Sequence, residues 1–286
     1  MQDRTCGKVR RRKWLWRSLF LFVALVYVGY EASLFIGREF MVAEELPIYA
    51  IGSRPADDTL RVAVIGDSWA MYHAQLGCDT LFEQYAGRLT AQPVRCMSRG
   101  TGGAKSKEVY YAMFRNQVQG DSQMACTQPL LEAHPDYGVV MAGINDTWKK
   151  RPVSYYTGNY RLILRLLLAN HIRPVVMEIP DFEMGEWLDE HRRRQRCLYR
   201  FYSYFTGVVA DDIAPFRNGL RQMLKDTGLA DSVLFIATDQ WLPQGHRYSE
   251  EIYQADHVHL NRSGYHLLDS CIVAEIVNDY QTRKTT

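Results

Sequence analysis

Short apolar runs recur along the chain from residue 61 onward, and most of them end at a Gly, Ser or Ala. Runs with little alternation between apolar and polar positions are typical of strands buried on both faces, as in a parallel sheet. Five such runs are predicted as strands: residues 61–66, 93–98, 137–143, 173–179 and 232–237.

The segments between these runs instead repeat apolar residues every three or four positions, which is the spacing of one helix face. Helices are predicted over residues 107–118, 154–171 and 263–280, and over a charge-rich segment at 189–205. Alternating strands and helices predict a doubly wound α/β domain over residues 61–286. In such a sheet, functional residues lie at the carboxyl ends of the strands.

The first forty residues have a different pattern. A basic tail at residues 1–13 precedes a long apolar stretch at residues 14–37, and a helix over 20 of these residues would span about 30 Å. This predicts a transmembrane anchor, with residues 38–60 as a stalk because they contain several Pro and Gly residues. A cleaved signal peptide is the alternative; the length of the stretch and the lack of a clear A-x-A site favour the anchor.

Charge fixes the predicted orientation. Residues 1–17 carry seven Lys and Arg residues and one acidic residue, so the basic excess is local and does not indicate nucleic-acid binding. The basic flank predicts a cytoplasmic N-terminus and a domain outside the cytoplasm, which would be the periplasm if the source is a Gram-negative bacterium. The whole chain of 286 residues is 47% hydrophobic and 23% charged, which is typical of a globular protein.

Four short motifs carry the candidate chemistry. Ser68 follows the first predicted strand in Gly-Asp-Ser, a Gly-rich segment at residues 100–103 follows the second, and Asn145 follows the third in Gly-Ile-Asn-Asp. Asp256 precedes His259 by three residues near the C-terminus. Each motif alone is also common in ordinary turns and helix caps.

Together the motifs supply the parts of one reaction. Acyl transfer requires a hydroxyl nucleophile, a base, a group that orients the base, and donors for the developing oxyanion. Ser68, His259 and Asp256 fit the first three roles. The side-chain amide of Asn145 and the backbone N–H of Gly103 fit the last role, beside the N–H of Ser68 itself. No metal or organic cofactor is implied.

The order of these motifs resembles the SGNH (GDSL-like) hydrolase family, whose blocks are a Ser in GDS, a Gly after the second strand, an Asn in GxND and a His in DxxH. The resemblance implies a three-layer α/β/α flavodoxin-like fold with a five-stranded parallel sheet in the order 2-1-3-4-5. It also implies catalytic roles for Ser68, Asp256 and His259, with Ser68, Gly103 and Asn145 in the oxyanion hole.

Some assignments stay open at this point. Gly100 or Gly102 could replace Gly103, and His257 is a rival of His259; strand spacing favours Gly103 and the Asp-to-His spacing favours His259. Four further residues flank the motifs and either line a pocket or pack in the core: Trp69, Tyr72, His73 and Trp148.

The resemblance and the predicted membrane placement suggest a serine esterase or acyltransferase for O-acyl groups, above all O-acetyl groups, of cell-envelope or secreted glycans. Its expected partners are the acylated glycan or another acyl ester, the membrane, and envelope polysaccharide machinery, with no nucleic acid. Two alternatives are a lipid esterase or thioesterase at the membrane surface and a non-catalytic glycan-binding component of an envelope complex.

Overall fold

The computed structural model describes residues 3–114, 125–182, 203–204, 206–208, 212–242 and 250–285. The chain divides into two compact units, Met1–Met41 and Val42–Thr286. The predicted helix over residues 189–205 falls almost entirely outside the described residues.

The first unit is a single helix, α1 (Asp3–Phe40), which contains the predicted anchor and continues three residues past its end. Its described apolar side chains between Trp14 and Tyr30 are mostly exposed. Within the described ranges, every helix falls short of the combined length and apolar character that crossing a bilayer requires.

A five-stranded parallel sheet forms the centre of the second unit, in the order β2-β1-β3-β4-β5. The strands are β1 (Leu60–Gly66), β2 (Val94–Gly100), β3 (Tyr137–Met141), β4 (Arg173–Met177) and β5 (Leu234–Ile236). The predicted parallel sheet of an α/β fold is therefore confirmed. In its register, Gly66 lies level with Gly100 and Met141, so three strands end at the same edge.

The burial of the strands explains why the sequence predicts them well. Every residue of β1 and β3 is buried, as continuous apolar runs require. β2 is an edge strand with several half-buried positions. The strand predicted at residues 232–237 is shorter than expected, because a 3₁₀ turn at Ala230–Ser232 occupies its start.

Helices connect the strands in two separate layers. The helices of the second unit are α2 (Ser68–Gln75), α3 (Cys78–Leu89), α4 (Ser106–Ala112), α5 (Gln128–Glu132), α6 (Ile144–Trp148), α7 (Val153–Ala169), α8 (Ala214–Asp226), α9 (Thr238–Trp241) and α10 (Arg262–Thr285). α3 packs against α2 and α10, whereas α7 packs against α4 and α8. The helix predicted over residues 107–118 ends earlier, at Ala112.

The segment before β1 belongs to the domain, although the sequence predicts a stalk there. Three of its backbone N–H groups donate to distant side chains: Ala43 to Asn159 Oδ1 at 2.7 Å, Leu46 to the Tyr110 hydroxyl at 2.9 Å, and Ile51 to Asn170 Oδ1 at 3.1 Å. Because α4, α7 and the residue that caps α7 supply these acceptors, the backbone of the segment is satisfied without a strand or helix of its own. The compact unit accordingly begins at Val42 and not at residue 61.

A fully buried histidine links three helices and the edge strand β2. His73 of α2 contacts Asp269 of α10 through Nε2 at 3.1 Å, and Asp79 of α3 and Ser98 of β2 through Nδ1 at 3.0 and 2.7 Å. Burial alone would lower the pKa of His73, but the two carboxylates outweigh it and raise the pKa to about 9. The buried charge on His73 is therefore paired on both sides.

We predict that this network makes stability depend on pH above neutrality. Because the folded pKa of His73 lies above its unfolded value, its contribution is complete below pH about 6.5 and is lost as the pH rises through about 9. The difference in free energy of unfolding between wild type and His73→Gln should fall by up to about 3 kcal/mol over this range. Urea denaturation from pH 6 to pH 10 measures it, and a difference independent of pH would contradict the assignment.

Candidate active site

Ser68 lies where β1 turns into α2. Asp67 precedes this helix, and its Oδ1 accepts the backbone N–H of Trp69 at 3.0 Å. Asp67 thus caps the helix, and Ser68 becomes its first residue. Ser68 therefore lies at the N-terminus of a helix, where the backbone N–H groups favour negative charge nearby.

A chain of hydrogen bonds joins Ser68 to two residues near the C-terminus. The Ser68 Oγ lies 2.8 Å from His259 Nε2, and His259 Nδ1 lies 2.5 Å from Asp256 Oδ2. The other carboxylate oxygen of Asp256 accepts the backbone N–H groups of Val258 and His259. Burial alone would raise the pKa of Asp256, but these hydrogen bonds lower it to about 2, so the carboxylate is ionised at neutral pH.

The loop that carries His259 is held by its own backbone. Gln254 N–H donates to the His259 carbonyl at 2.7 Å, and Tyr253 pairs with Leu260 in an antiparallel bridge. His257, in contrast, has a left-handed backbone with φ of 54° and does not line the cleft that contains Ser68. The structure therefore brings His259, and not His257, to Ser68.

Asn145 follows β3 at the start of α6 and is buried beside Ser68. Its Nδ2 has no hydrogen-bond partner among the described residues. The neighbouring Asp146 accepts both the N–H and the Oγ–H of Ser106, at 2.9 and 2.6 Å, and burial raises the pKa of Asp146 to about 6. Asp146 thus anchors α6 to α4, while the side chain of Asn145 borders the cleft and also interacts with the buried Asp67 carboxylate.

The glycines at the end of β2 and just after it have separate roles. A Cβ at Gly100 would lie 2.1 Å from the backbone oxygen of Asp67, so Gly100 permits the close approach of β2 to the turn that carries Ser68. Gly102 and Gly103 line the cleft instead, and Gly103 has φ of +74°. Gly103, a residue predicted for the site, is therefore at the cleft in a conformation that favours glycine.

Ser68, Gly103, Asn145, Asp256 and His259 all face one open cleft of about 270 Å³. Its wall is formed by Ser68, Met71, Tyr72, Gly102, Gly103, Ile144, Asn145, Trp148, Asp256, Val258 and His259. Of the four flanking residues, Tyr72 and Trp148 line the cleft, whereas Trp69 and His73 are fully buried in the core. The Tyr72 ring also lies 4.7 Å from the His259 ring, centroid to centroid.

Two contacts around the cleft were not assigned from the sequence. Ser106 pairs with Asp146, as described above, and Lys149 donates from Nζ to the Gly103 carbonyl at 2.8 Å. The only sequence signal for the first was the acidic residue of the Gly-Ile-Asn-Asp motif. In the described ranges, no three His, Cys, Asp or Glu side chains are grouped so as to hold a metal ion.

An ionised carboxylate, an imidazole and a hydroxyl in a hydrogen-bonded row, beside an unpaired amide, can activate the hydroxyl as a nucleophile and stabilise an oxyanion. The fold is an α/β fold with a five-stranded parallel sheet, and its cleft holds a Ser-His-Asp row without the Gly-x-Ser-x-Gly elbow of the α/β-hydrolase fold. A model of the GDSL-like lipase/acylhydrolase family matches residues 64–267. The chain belongs to this family and is an ester-hydrolysing enzyme.

Solved structures show the same fold. A lipase/acylhydrolase from Enterococcus faecalis is 16% identical, with a TM-score of 0.53 over 77% of this chain and 96% of that one. The acetyl xylan esterase AlAXEase is 19% identical, with a TM-score of 0.53 over 76% and 100%. The psychrotrophic esterase EstA from Pseudoalteromonas sp. is 16% identical, with a TM-score of 0.51 over 79% and 100%. Among curated proteins, no similar sequence is found.

The two histidines of the Asp-His-Val-His segment provide a matched pair of variants. His259→Ala removes the only imidazole within reach of Ser68 in the described structure, so we expect kcat for a p-nitrophenyl ester to fall by a factor of about 10³ or more. His257→Ala should retain most of the activity, since His257 lies outside the cleft. Initial rates with both purified variants measure this. Loss of activity in His257→Ala alone would overturn the assignment.

Proposed function

We propose that this chain is an extracytoplasmic serine esterase or acyltransferase that acts on O-acyl groups, above all O-acetyl groups, of cell-envelope or secreted glycans. The observation that carries the proposal is the unbroken row of hydrogen bonds from Asp256 through His259 to Ser68. Family membership supports ester chemistry. The glycan substrate is proposed from the size and lining of the cleft, and the compartment from the N-terminal helix.

The reaction follows from the positions of these groups. Ser68 Oγ attacks the ester carbonyl carbon while His259 Nε2 takes its proton, and Asp256 holds Nδ1–H and stabilises the imidazolium. The carbonyl oxygen becomes an oxyanion, which the Asn145 amide and the N–H groups of Ser68 and Gly103 bind. His259 then gives the proton to the departing sugar oxygen and leaves an acyl-enzyme. Water or a second sugar hydroxyl accepts the acyl group by the reverse sequence.

The dimensions and walls of the cleft support a short acyl group next to a sugar. A volume of about 270 Å³ is close to the lower end of small-molecule sites. Tyr72 and Trp148 present aromatic rings, which suit the faces of sugars. One structure with this fold is an acetyl xylan esterase, so the fold is compatible with an acetylated glycan.

The N-terminal unit supports the proposed location. Its basic flank would keep the N-terminus in the cytoplasm, and the exposed apolar side chains of α1 would contact lipid, so the catalytic domain would lie outside the cytoplasm. The chain would thus be a single-pass membrane protein that works beside envelope polysaccharide machinery. Its substrate would be a glycan in that compartment.

A second candidate is a lipid esterase or thioesterase at the membrane surface. The specific observation in its favour is the apolar wall formed by Met71, Ile144 and Val258. The two candidates differ in the acyl chain they would prefer. A small cleft favours an acetyl group, whereas a lipid esterase requires room for a long acyl chain.

Chromogenic esters with acyl chains of two to ten carbons, assayed with and without glycan, test the proposal. We expect kcat/KM to be highest for the acetyl ester and to fall by about tenfold or more for long chains, because one poorly fitted methylene group is worth about 1–3 kcal/mol. Ser68→Ala is the control for non-enzymatic transfer. Free acetate and acetylated glycan are measured separately.

Each outcome has a distinct meaning. Acetylated glycan that depends on Ser68 would support the transferase form. Acetate release that no glycan alters would eliminate that form and leave the esterase. Rates that rise with chain length would contradict the acetyl-glycan proposal and favour the lipid esterase.

A further inference from the structure

We infer that Lys149 is a positioning residue for the oxyanion side of the cleft. Its Nζ donates to the carbonyl oxygen of Gly103 at 2.8 Å. Lys149 is half-buried and is not part of the cleft wall, so it lies behind Gly103 and acts through it. The inference rests on the proposed acyl-transfer function.

Lys149 joins the two segments that supply oxyanion donors. It directly follows α6, and its backbone N–H donates to the Asn145 carbonyl at 2.9 Å. Its side chain reaches the Gly103 carbonyl on the segment after β2. One residue therefore contacts the backbone of Asn145 and of Gly103, and it fixes the distance between the donors that these two residues offer.

Gly103 is the part of the site that most needs such a contact. With φ of +74° and no side chain, it can adopt other backbone conformations at little energetic cost. The Ala104 N–H closes the turn onto the Thr101 carbonyl at a long 3.2 Å. Among the described residues, no hydrogen bond uses the N–H of Gly103, so only its carbonyl side is held. A free N–H with a fixed peptide beside it is a preorganised donor.

Several charged groups surround Lys149. Burial lowers the pKa of Lys149, and Lys105 and Arg151 lower it further, whereas Glu108 and Asp146 oppose this. Lys105 is paired with Glu108, with 2.6 Å between Nζ and Oε1. The role of Lys149 therefore rests on its hydrogen bond to the Gly103 carbonyl and not on a positive potential.

Three variants test the role. Lys149→Met keeps the aliphatic stem and removes the donor, so we expect kcat to fall by a factor of about 10 to 100 with KM nearly unchanged, somewhat less than for direct removal of an oxyanion donor. Lys149→Arg keeps a donor of similar reach and should restore most of the rate. Lys225→Met, at an exposed position of α8, is the matched control and should match wild type.

A thiono ester distinguishes positioning from general damage to the fold. Its carbonyl oxygen is replaced by sulfur, a larger and weaker hydrogen-bond acceptor, so an intact oxyanion hole favours the normal ester. We expect this preference to shrink in Lys149→Met and to persist in Lys149→Arg. A variant that is merely less stable would lose active enzyme without changing the ratio of the two rates.

The outcomes separate this inference from the proposed function. If wild type hydrolyses esters but Lys149→Met keeps its kcat and its preference for the normal ester, the inference is wrong and the function stands. If wild type hydrolyses no ester, the function itself fails. Should Lys149→Met not unfold cooperatively, Lys149→Asn carries the same test, because its side chain is two bonds too short to reach Gly103 and Asn is tolerated at helix ends.

Discussion

The hydrogen bond between Ser68 Oγ and His259 Nε2 is the contact on which the rest of the site depends. It is 2.8 Å long and joins residues that are 191 positions apart in the chain. Neither residue is reactive as an acyl-transfer centre without the other, because a serine hydroxyl needs a base to become a nucleophile. The fold must therefore fix the separation between the end of β1 and the loop before α10 to within a few tenths of an ångström.

Contacts between α2 and α10 hold these two segments in place. Ser68 begins α2, and His259 lies three residues before α10. The two helices are joined by the His73–Asp269 pair and by the Tyr265 hydroxyl, which donates to the Trp69 carbonyl at 2.6 Å. All four of these residues are buried, so water does not compete for the contacts. The buried charge network is thus a support for the catalytic distance as well as a contribution to stability.

Much of this arrangement could be predicted from the sequence, and two of the exceptions share a cause. Continuous apolar runs indicated all five strands, and turn residues at their ends indicated Ser68 and Asn145. Residues 42–59 gave no such signal, because their N–H groups bond to side chains such as Asn159 and Tyr110 and so leave no periodic pattern. Lys149 was also missed, since its partner is a backbone carbonyl. Contacts between a backbone group and a distant side chain have no local sequence signature.

The most direct test of the account is the site of covalent labelling by a fluorophosphonate. The reagent reacts with a serine that is activated by a base and supported by an oxyanion hole. We predict a single adduct, located on Ser68 by peptide mass spectrometry and absent from Ser68→Ala, while the half-buried Ser98 and the buried Ser106 stay unmodified. An adduct on another serine, or no adduct on a folded chain that hydrolyses esters, would contradict the account.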